Sequence, residues 1–261
     1  MPPLITHLVI GERVYAQLDA LEHTPRAYGA FLLGCVLVDA NAFTGIDRRR
    51  THLIGRLDED GPDAFQKSCT NFLAQRGTLL AAPWEALSGP DRAFVAGYLC
   101  HLAADETWKA FTWHILRKLG IDSVGDLPVP GEVMLTAACV LSNDLFLDHR
   151  ALVAALREAA VPDVVTHIPH ADLVRTWDIA RSYALDGSSP ESYFAMLARL
   201  GKTKADILRR RRRHERCWDD AIALLQDQGG IESQIQLAVR HALHILPHLW
   251  KGTRNQVFHA P

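Results

Sequence analysis

The amino-acid sequence predicts an all-α protein. Apolar residues recur every three or four positions along almost the entire chain of 261 residues, which is the spacing of amphipathic helices. The alternation of apolar and polar residues that is typical of strands is nearly absent. Several predicted helices also have recognisable ends, as where Ser88 and Pro90 begin one helix and Gly120 ends it. We therefore expect a multi-helical single domain.

Ten helices follow from this periodicity. In chain order they are predicted over residues 11–22, 26–39, 62–76, 89–119, 130–146, 148–159, 170–185, 189–200, 203–227 and 231–249. Pro247 lies inside the last of them and should bend or end it, because proline lacks the backbone N–H and clashes with the preceding turn.

One stretch, Asp122–Pro130, interrupts the helical pattern with two prolines and one glycine. It is the predicted joint between an N-terminal helical half, residues 1–121, and a C-terminal helical half, residues 122–261, that packs on the first. Two alternatives stay open at this point: the second half is a helical C-terminal extension, or the joint is only a long loop.

The composition is that of a globular protein with a sizeable core, since 48% of the residues are hydrophobic. The formal net charge of -2 creates no overall field that would attract nucleic acid or an anionic membrane, and we expect no stable nucleic-acid binding. The run Arg209–Arg213 lies inside a helical pattern and is more typical of a solvated or salt-bridging surface. No apolar window is long enough for a transmembrane helix.

The cysteines indicate a reducing compartment. There are 5 of them, widely spaced in apolar helical contexts and without a CxxC pair, which is typical of buried free thiols. The first residues carry no basic segment and reach Gly11, Glu12 and Arg13 after a short apolar run, unlike a signal peptide. The predicted location is the cytoplasm.

The segment YLCHLAADETW places His101 and Asp105 in the middle of the predicted helix 89–119. Residues four apart lie one turn apart on the same helix face, so the two side chains can converge on one point. HxxxD on a helix is a metal-ligand spacing. It is also the spacing of an ordinary hydrogen-bonded pair, and the pattern alone leaves both interpretations open.

Three further polar residues occur in apolar surroundings. Asp39 ends an otherwise apolar helix, and a buried carboxylate is costly unless it is paired or binds a cation. His52 follows a basic turn, and His7 stands among aliphatic residues near the start. With the HxxxD pair they make five nitrogen and oxygen donors, a set that suits zinc. A carboxylate such as Asp105 can bridge two ions, which is an arrangement used to hydrolyse phosphoesters.

The order of these segments resembles the zinc-dependent phospholipase C family, whose fold is shared by zinc-dependent single-strand nucleases. The segments are THLVIGERV, GCVLVD, RRRTH and GYLCHLAADETW, within about the first 110 residues. The resemblance implies that Asp39, His52, His101 and Asp105 surround one zinc ion and that His7 shares Asp105 at a second. It also implies that Asp39 is the candidate general base that orients the attacking water.

The chain departs from the family pattern in several places. Residues precede His7, where secreted relatives use a mature N-terminal amine as a ligand. Trp108 and Lys109 stand where many relatives have a histidine, the later HxxxE is absent from this helix, and Val38 replaces a frequent proline. The resemblance therefore implies one complete zinc site and a second, partial one. Candidate replacements for the missing ligands are Glu106, His114, Asp144, Asp148 and His149.

Three histidines near the end of the chain, His241, His244 and His248, have a spacing that would place them on one face of the last helix. Because that helix lacks a carboxylate partner, a polar face is favoured over a substrate-phosphate contact or a further metal position. Both of these other interpretations stay open.

Two functions from different classes follow. The first is a metal-dependent hydrolase of a small-molecule or lipid phosphoester, with activity that is weak or narrow because the second site is incomplete. The second is a helical binding or scaffold protein whose metal site is structural or vestigial. The sequence predicts neither the substrate nor the oligomeric state.

Overall fold

The computed structural model describes residues 3–54, 67–122, 127–185, 187–227 and 229–251, and these ranges form an all-α fold as predicted. Their one departure from helix and loop is an isolated antiparallel bridge between Leu80 and Val165. The helices are α1 (Leu4–Tyr15), α2 (Pro25–Leu37), α3 (Ala40–Thr44), α4 (Arg48–His52), α5 (Ser68–Leu79), α6 (Gly89–Leu119), α7 (Gly131–Ser142), α8 (His149–Glu158), α9 (His170–Leu185), α10 (Pro190–Arg199), α11 (Lys204–Asp227), α12 (Gly230–Ile245) and α13 (Pro247–Lys251).

Helix α6 forms the centre of the fold. It is 31 residues long, begins where the Ser88 hydroxyl accepts the Asp91 N–H, and ends at Gly120, whose φ of 66° is left-handed. Every residue from 93 to 108 is buried, so this half of the helix is covered on all sides. Helices α1, α2, α5 and α12 pack against it. Any polar side chain on this stretch must find a partner inside the protein.

Helices α2 and α6 cross with their backbones in contact. A Cβ atom on Gly34 of α2 would overlap the Phe94 carbonyl oxygen, and one on Gly97 of α6 would overlap the Phe31 carbonyl oxygen. Glycine is therefore required at both positions, because any side chain would push the two helices apart. The crossing lies one turn before His101, which brings that histidine beside the end of α2.

The remaining helices enclose this pair. Helix α1 packs on α2, α6, α7 and α12, while α9 contacts α3 and α11 contacts α7. One continuous hydrophobic core includes Ile5, Val133 and Ile235, from both of the predicted halves. Part of the predicted joint, residues 123–126, lies outside the described ranges, and the division at residue 121 stays a prediction.

The arginine run on α11 holds helices together, in agreement with the salt-bridging interpretation. Arg210 and Arg213 both pair with Glu132 of α7. Arg209 pairs with Asp206 of its own helix, and the Arg211 guanidinium lies 4.8 Å from the centre of the Phe194 ring. Four members of the run thus have partners within the protein.

The predicted helix 11–22 is wrong, because α1 begins seven residues earlier and ends at Tyr15. Gly11 lies in the middle of α1, where a Cβ atom would approach Cys35 Sγ to 2.7 Å, so this glycine allows close packing on α2.

The short helices α3 and α4 were not predicted. For the predicted helix 62–76, residues 62–66 lie outside the described ranges and α5 extends to Leu79. Pro247 separates α12 from α13, as expected.

All five cysteines are free, and four of them are buried. None of the helices in the described ranges combines the length and the apolarity that crossing a bilayer requires.

The glycine crossing gives a first prediction. Gly97→Ala should lower the free energy of unfolding by about 1–3 kcal/mol or more, because the methyl group overlaps backbone that cannot move alone. Gly77→Ala is the matched control, since Gly77 is exposed in α5 and nothing lies within 4 Å of its added Cβ. Alanine there should stabilise by up to about 1 kcal/mol through helix propensity. Urea unfolding of the two variants measures both effects, and an equal effect at both positions would contradict the close crossing.

A second prediction concerns the ion pair between α1 and α12. Arg13 donates to both oxygens of Glu232 at 2.5 and 3.1 Å, and this contact is the largest cause that lowers the pKa of Glu232 below 4.5. A lowered pKa means that the stabilisation is present above about pH 4.5 and is lost as the pH falls through the folded-state pKa. The carboxylate is 46% exposed, so its effect should stay below about 1 kcal/mol.

Glu232→Gln should therefore be slightly less stable than the natural protein at pH 7 and equally stable in acid. Unfolding curves across this pH range provide the measurement. Glu158→Gln, at an exposed glutamate of α8, is the control and should show no such convergence.

Candidate metal centre

Five side chains from three helices and one interhelical turn meet in the interior of the protein. His7 comes from the first two turns of α1, Asp39 lies in the turn between α2 and α3, His52 ends α4, and His101 and Asp105 lie one turn apart on α6. Their relative exposures are 1%, 9%, 1%, 0% and 4% in that order. The structure thus brings together all five residues that the sequence singled out. We refer to these five residues as the cage.

The distances within the cage are short. His52 Nε2 lies 3.3 Å from Asp39 Oδ1 and 3.3 Å from Asp105 Oδ2. His101 Nε2 is 3.8 Å from Asp39 Oδ1, and His7 Nε2 is 3.6 Å from Asp105 Oδ1. The rings of His7 and His101 stack with centroids 3.8 Å apart. Two groups, His7–His101–Asp105 and Asp39–His52–His101, each place their donor atoms within 4.8 Å of one another.

The atoms that face the middle of the cage fit a cation. In the described part of the chain, the three Nε2 atoms, Asp39 Oδ1 and Asp105 Oδ1 are buried without a hydrogen bond of proper geometry. Buried polar atoms almost always have a hydrogen-bond partner, so five unpartnered atoms at one point require an explanation. All five are lone-pair donors of the kinds that bind zinc, and cations held in the two donor groups would satisfy the whole set.

Outer hydrogen bonds orient two of the imidazoles. The Cys35 carbonyl oxygen lies 2.7 Å from His101 Nδ1, which must therefore carry the proton. The Thr51 hydroxyl donates to the Arg48 carbonyl oxygen. It lies 2.8 Å from His52 Nδ1, so an N–H at Nδ1 can donate to the same hydroxyl oxygen. The first contact leaves Nε2 of the neutral His101 ring unprotonated, as is usual for metal-binding histidines, and the second allows the same tautomer at His52.

The charges in the cage also favour a cation. Burial would raise the pKa of Asp39, but His101 and His52 outweigh it and lower that pKa to about 2. Burial likewise opposes ionisation of Asp105, and His52 and His7 outweigh it and keep its pKa well below the usual range. Burial and the neighbouring His7 lower the pKa of His101 to about 3. Both carboxylates are therefore charged, and His101 is neutral at neutral pH.

The opposite shift occurs at His52. Burial alone would lower its pKa, but the Asp105 and Asp39 carboxylates outweigh burial and raise it. A positive charge between the two carboxylates is thus favourable in this position.

Sequence reasoning missed Arg48, which lies at the edge of the cage. Its guanidinium donates to Asp105 Oδ2 at 2.7 Å, and its side chain is 32% exposed. Arg48 and His52 are four residues apart and share a face of α4, but this spacing is a signal only where a helix is predicted, and α4 was not. Arg48 supplies the permanent positive charge next to Asp105.

Lys109 occupies α6 one turn beyond Asp105. Burial lowers the pKa of Lys109 to about 7, although Asp105 opposes the shift. A second basic side chain therefore lies near the cage.

Glu106 does not join the cage. It points to the other side of α6, where it accepts the Cys69 N–H at 2.9 Å and lies 2.8 Å from His241 Nε2. This buried pair ties α5 and α12 to α6. The other candidate replacements, His114, Asp144, Asp148 and His149, are exposed and lie outside the two donor groups.

The three late histidines do not form one polar face. His241 is buried against Glu106, whereas His244 is exposed and the His244 and His248 rings lie 6.3 Å apart. The expectation of a shared face is wrong, because the carboxylate partner of His241 comes from another helix.

The cage predicts metal binding that depends on its own residues. Protein purified without added zinc should carry about one zinc ion per chain or more, and His101→Ala and Asp39→Ala should each weaken zinc binding at least about tenfold. His114→Ala is the matched control, because His114 is exposed on the same helix. Elemental analysis gives the metal content and titration gives the affinity. Equal zinc content in all four proteins would contradict the assignment.

Comparison with known proteins identifies the chain. A family model described as zinc dependent phospholipase C matches residues 6–213, which include all five cage residues and extend far into the C-terminal half. Searches of curated proteins and of solved structures gave no match. The matched region covers well over half of the chain, and the protein therefore belongs to the zinc-dependent phospholipase C family.

Proposed function

We propose that this protein is a zinc-dependent hydrolase of phosphoester bonds. One observation carries the proposal: three imidazoles and two carboxylates form two overlapping buried donor groups with their inward atoms unpartnered. Membership of the zinc-dependent phospholipase C family supports the same reaction class. The substrate would be a lipid or small-molecule phosphoester.

In this proposal, His52, His101, Asp39 and Asp105 hold one zinc ion, and His7 with Asp105 and His101 offers a partial second position. Bound zinc would act as a Lewis acid that stabilises charge developing on a phosphoryl oxygen. The imidazoles would hold the ion. Contacts with the Cys35 carbonyl and the Thr51 hydroxyl maintain the orientation of the His101 and His52 rings.

Asp39 and Arg48 are the proposed contacts with the reactants. The Asp39 side chain is 13% exposed, more than any other member of the cage, so it is the point at which water and substrate can reach the site. Its carboxylate can accept a hydrogen bond from the attacking water and orient it. The partly exposed Arg48 guanidinium can donate to a phosphoryl oxygen while it still holds Asp105.

A structural metal site is the second candidate function. The observation that favours it is burial, since His7, His52 and His101 are at most 1% exposed. Structural zinc sites are closed, whereas catalytic ones keep a position open to substrate. The accessibility of Asp39 and Arg48 is what favours catalysis over this alternative.

We also propose a cytoplasmic location, supported by five free cysteines, of which four are buried. The absence of stable nucleic-acid binding stays a prediction. It is supported by the partners that Arg209, Arg210 and Arg213 have within the protein.

Hydrolysis of bis(p-nitrophenyl) phosphate tests the proposed reaction. The zinc-loaded protein should release p-nitrophenol, and His52→Ala should reduce the rate to background because the cage loses a donor. Asp39→Asn keeps an oxygen donor but removes the charge that orients water, so kcat should fall about 100-fold or more. Asp178→Asn, at an exposed aspartate of α9, is the matched control and should retain full activity. Full zinc content without any hydrolysis would favour the structural metal site instead.

A further inference from the structure

A small pocket lies directly against the cage. Its volume is about 150 Å³, and among the described residues that line it Asp39 is the one that carries a charge. Most of the wall consists of the side chains of Leu4, Phe43, Leu135, Tyr183, Tyr193 and Met196. These residues come from α1, α3, α7, α9 and α10, so the C-terminal half supplies most of the pocket.

Apart from Asp39, the polar side chains of the described residues that line the pocket already have partners. Arg210 donates to the Tyr193 hydroxyl at 3.4 Å, and the Tyr183 hydroxyl interacts with Cys139 and Ser188. The Thr136 hydroxyl donates to the Glu132 carbonyl oxygen at 2.9 Å. A neutral polar group or an anionic group that entered the pocket would lose its hydration and gain few hydrogen bonds in return. An apolar group would lose nothing and bury its surface.

Asp39 connects the pocket to the cage. Its Oδ1 atom faces His52 and His101, while its carboxylate also lines the pocket. A phosphoryl group held at the cage would therefore have its nearest substituent at the entrance of the pocket. The size of the pocket limits that substituent, since a cavity of about 150 Å³ accommodates a benzene molecule.

We infer that this pocket binds a compact apolar substituent of the phosphoester, of about the size of a phenyl or short branched alkyl group. The inference rests on the proposed function and adds the substrate class to it. The pocket excludes a sugar by its apolar wall, an anionic head group by the Asp39 carboxylate and a bulky ring system by its volume. Met196 and Leu135 set the size limit from two different helices.

Binding of two phosphonates, which the enzyme cannot hydrolyse, tests the inference without relying on activity. Calorimetry of the zinc-loaded protein should give a Kd for phenylphosphonate about tenfold or more below that for methylphosphonate, because only the phenyl group fills the pocket. Met196→Trp should fill the pocket and remove this preference while methylphosphonate binding is kept. Ala195→Trp is the matched control, since it adds the same side chain on the exposed side of α10 and should keep the preference.

A second variant keeps the inference testable if Met196→Trp does not fold. Leu135→Ala should enlarge the pocket and improve binding of 1-naphthylphosphonate relative to phenylphosphonate by about tenfold. Equal Kd values for methylphosphonate and phenylphosphonate would overturn the pocket inference while leaving the proposed function intact. If neither phosphonate binds the zinc-loaded protein, the phosphoryl site itself fails and the inference fails with it.

Discussion

The contact between Gly34 and Gly97 is the constraint on which the rest of the structure depends. Because the two backbones touch, the end of α2 lies beside the middle of α6, and the Cys35 carbonyl oxygen comes within 2.7 Å of His101 Nδ1. The chain then turns at Asp39 into two short helices, and the second of these ends at His52. Three cage residues thus take their positions from one helix crossing. Helix α1 adds His7 by packing on the same pair.

The cage opposes the stability of the protein that contains it. Two ionised carboxylates and three imidazoles are removed from water, and the Arg48 guanidinium compensates for part of the negative charge. A bound cation would offset this unfavourable electrostatic contribution. The free energy of metal binding would then add to the free energy of folding. The rigid, glycine-packed core around α6 is what keeps such a site assembled. Function here depends on apolar packing that supports a cluster of polar groups.

The parts of the structure that sequence reasoning predicted are those with local signals. Helix α6 has a serine cap, a proline and a terminal glycine, and its HxxxD spacing is a property of one helix. The helices α3 and α4 have five residues each, too few for a periodicity, and depend on tertiary contacts instead. Helix α1 was misplaced because Gly11 serves packing rather than a boundary. Arg48 and the Glu106–His241 pair were missed because their partners lie far away in the sequence.

The two neighbouring acids on α6 have opposite tasks. Asp105 faces the cage, whereas Glu106 anchors α5 and α12 on the other side. Successive residues of an α-helix are rotated by about 100° around its axis. Which of the two acids faces the cage therefore depends on its position along the helix and not only on its residue type. Deleting one residue between Gly97 and Asp105 would turn Glu106 into the cage, and inserting one would turn Asp105 away from it towards α5 and α12. The length of this segment is therefore as constrained as the residues it contains.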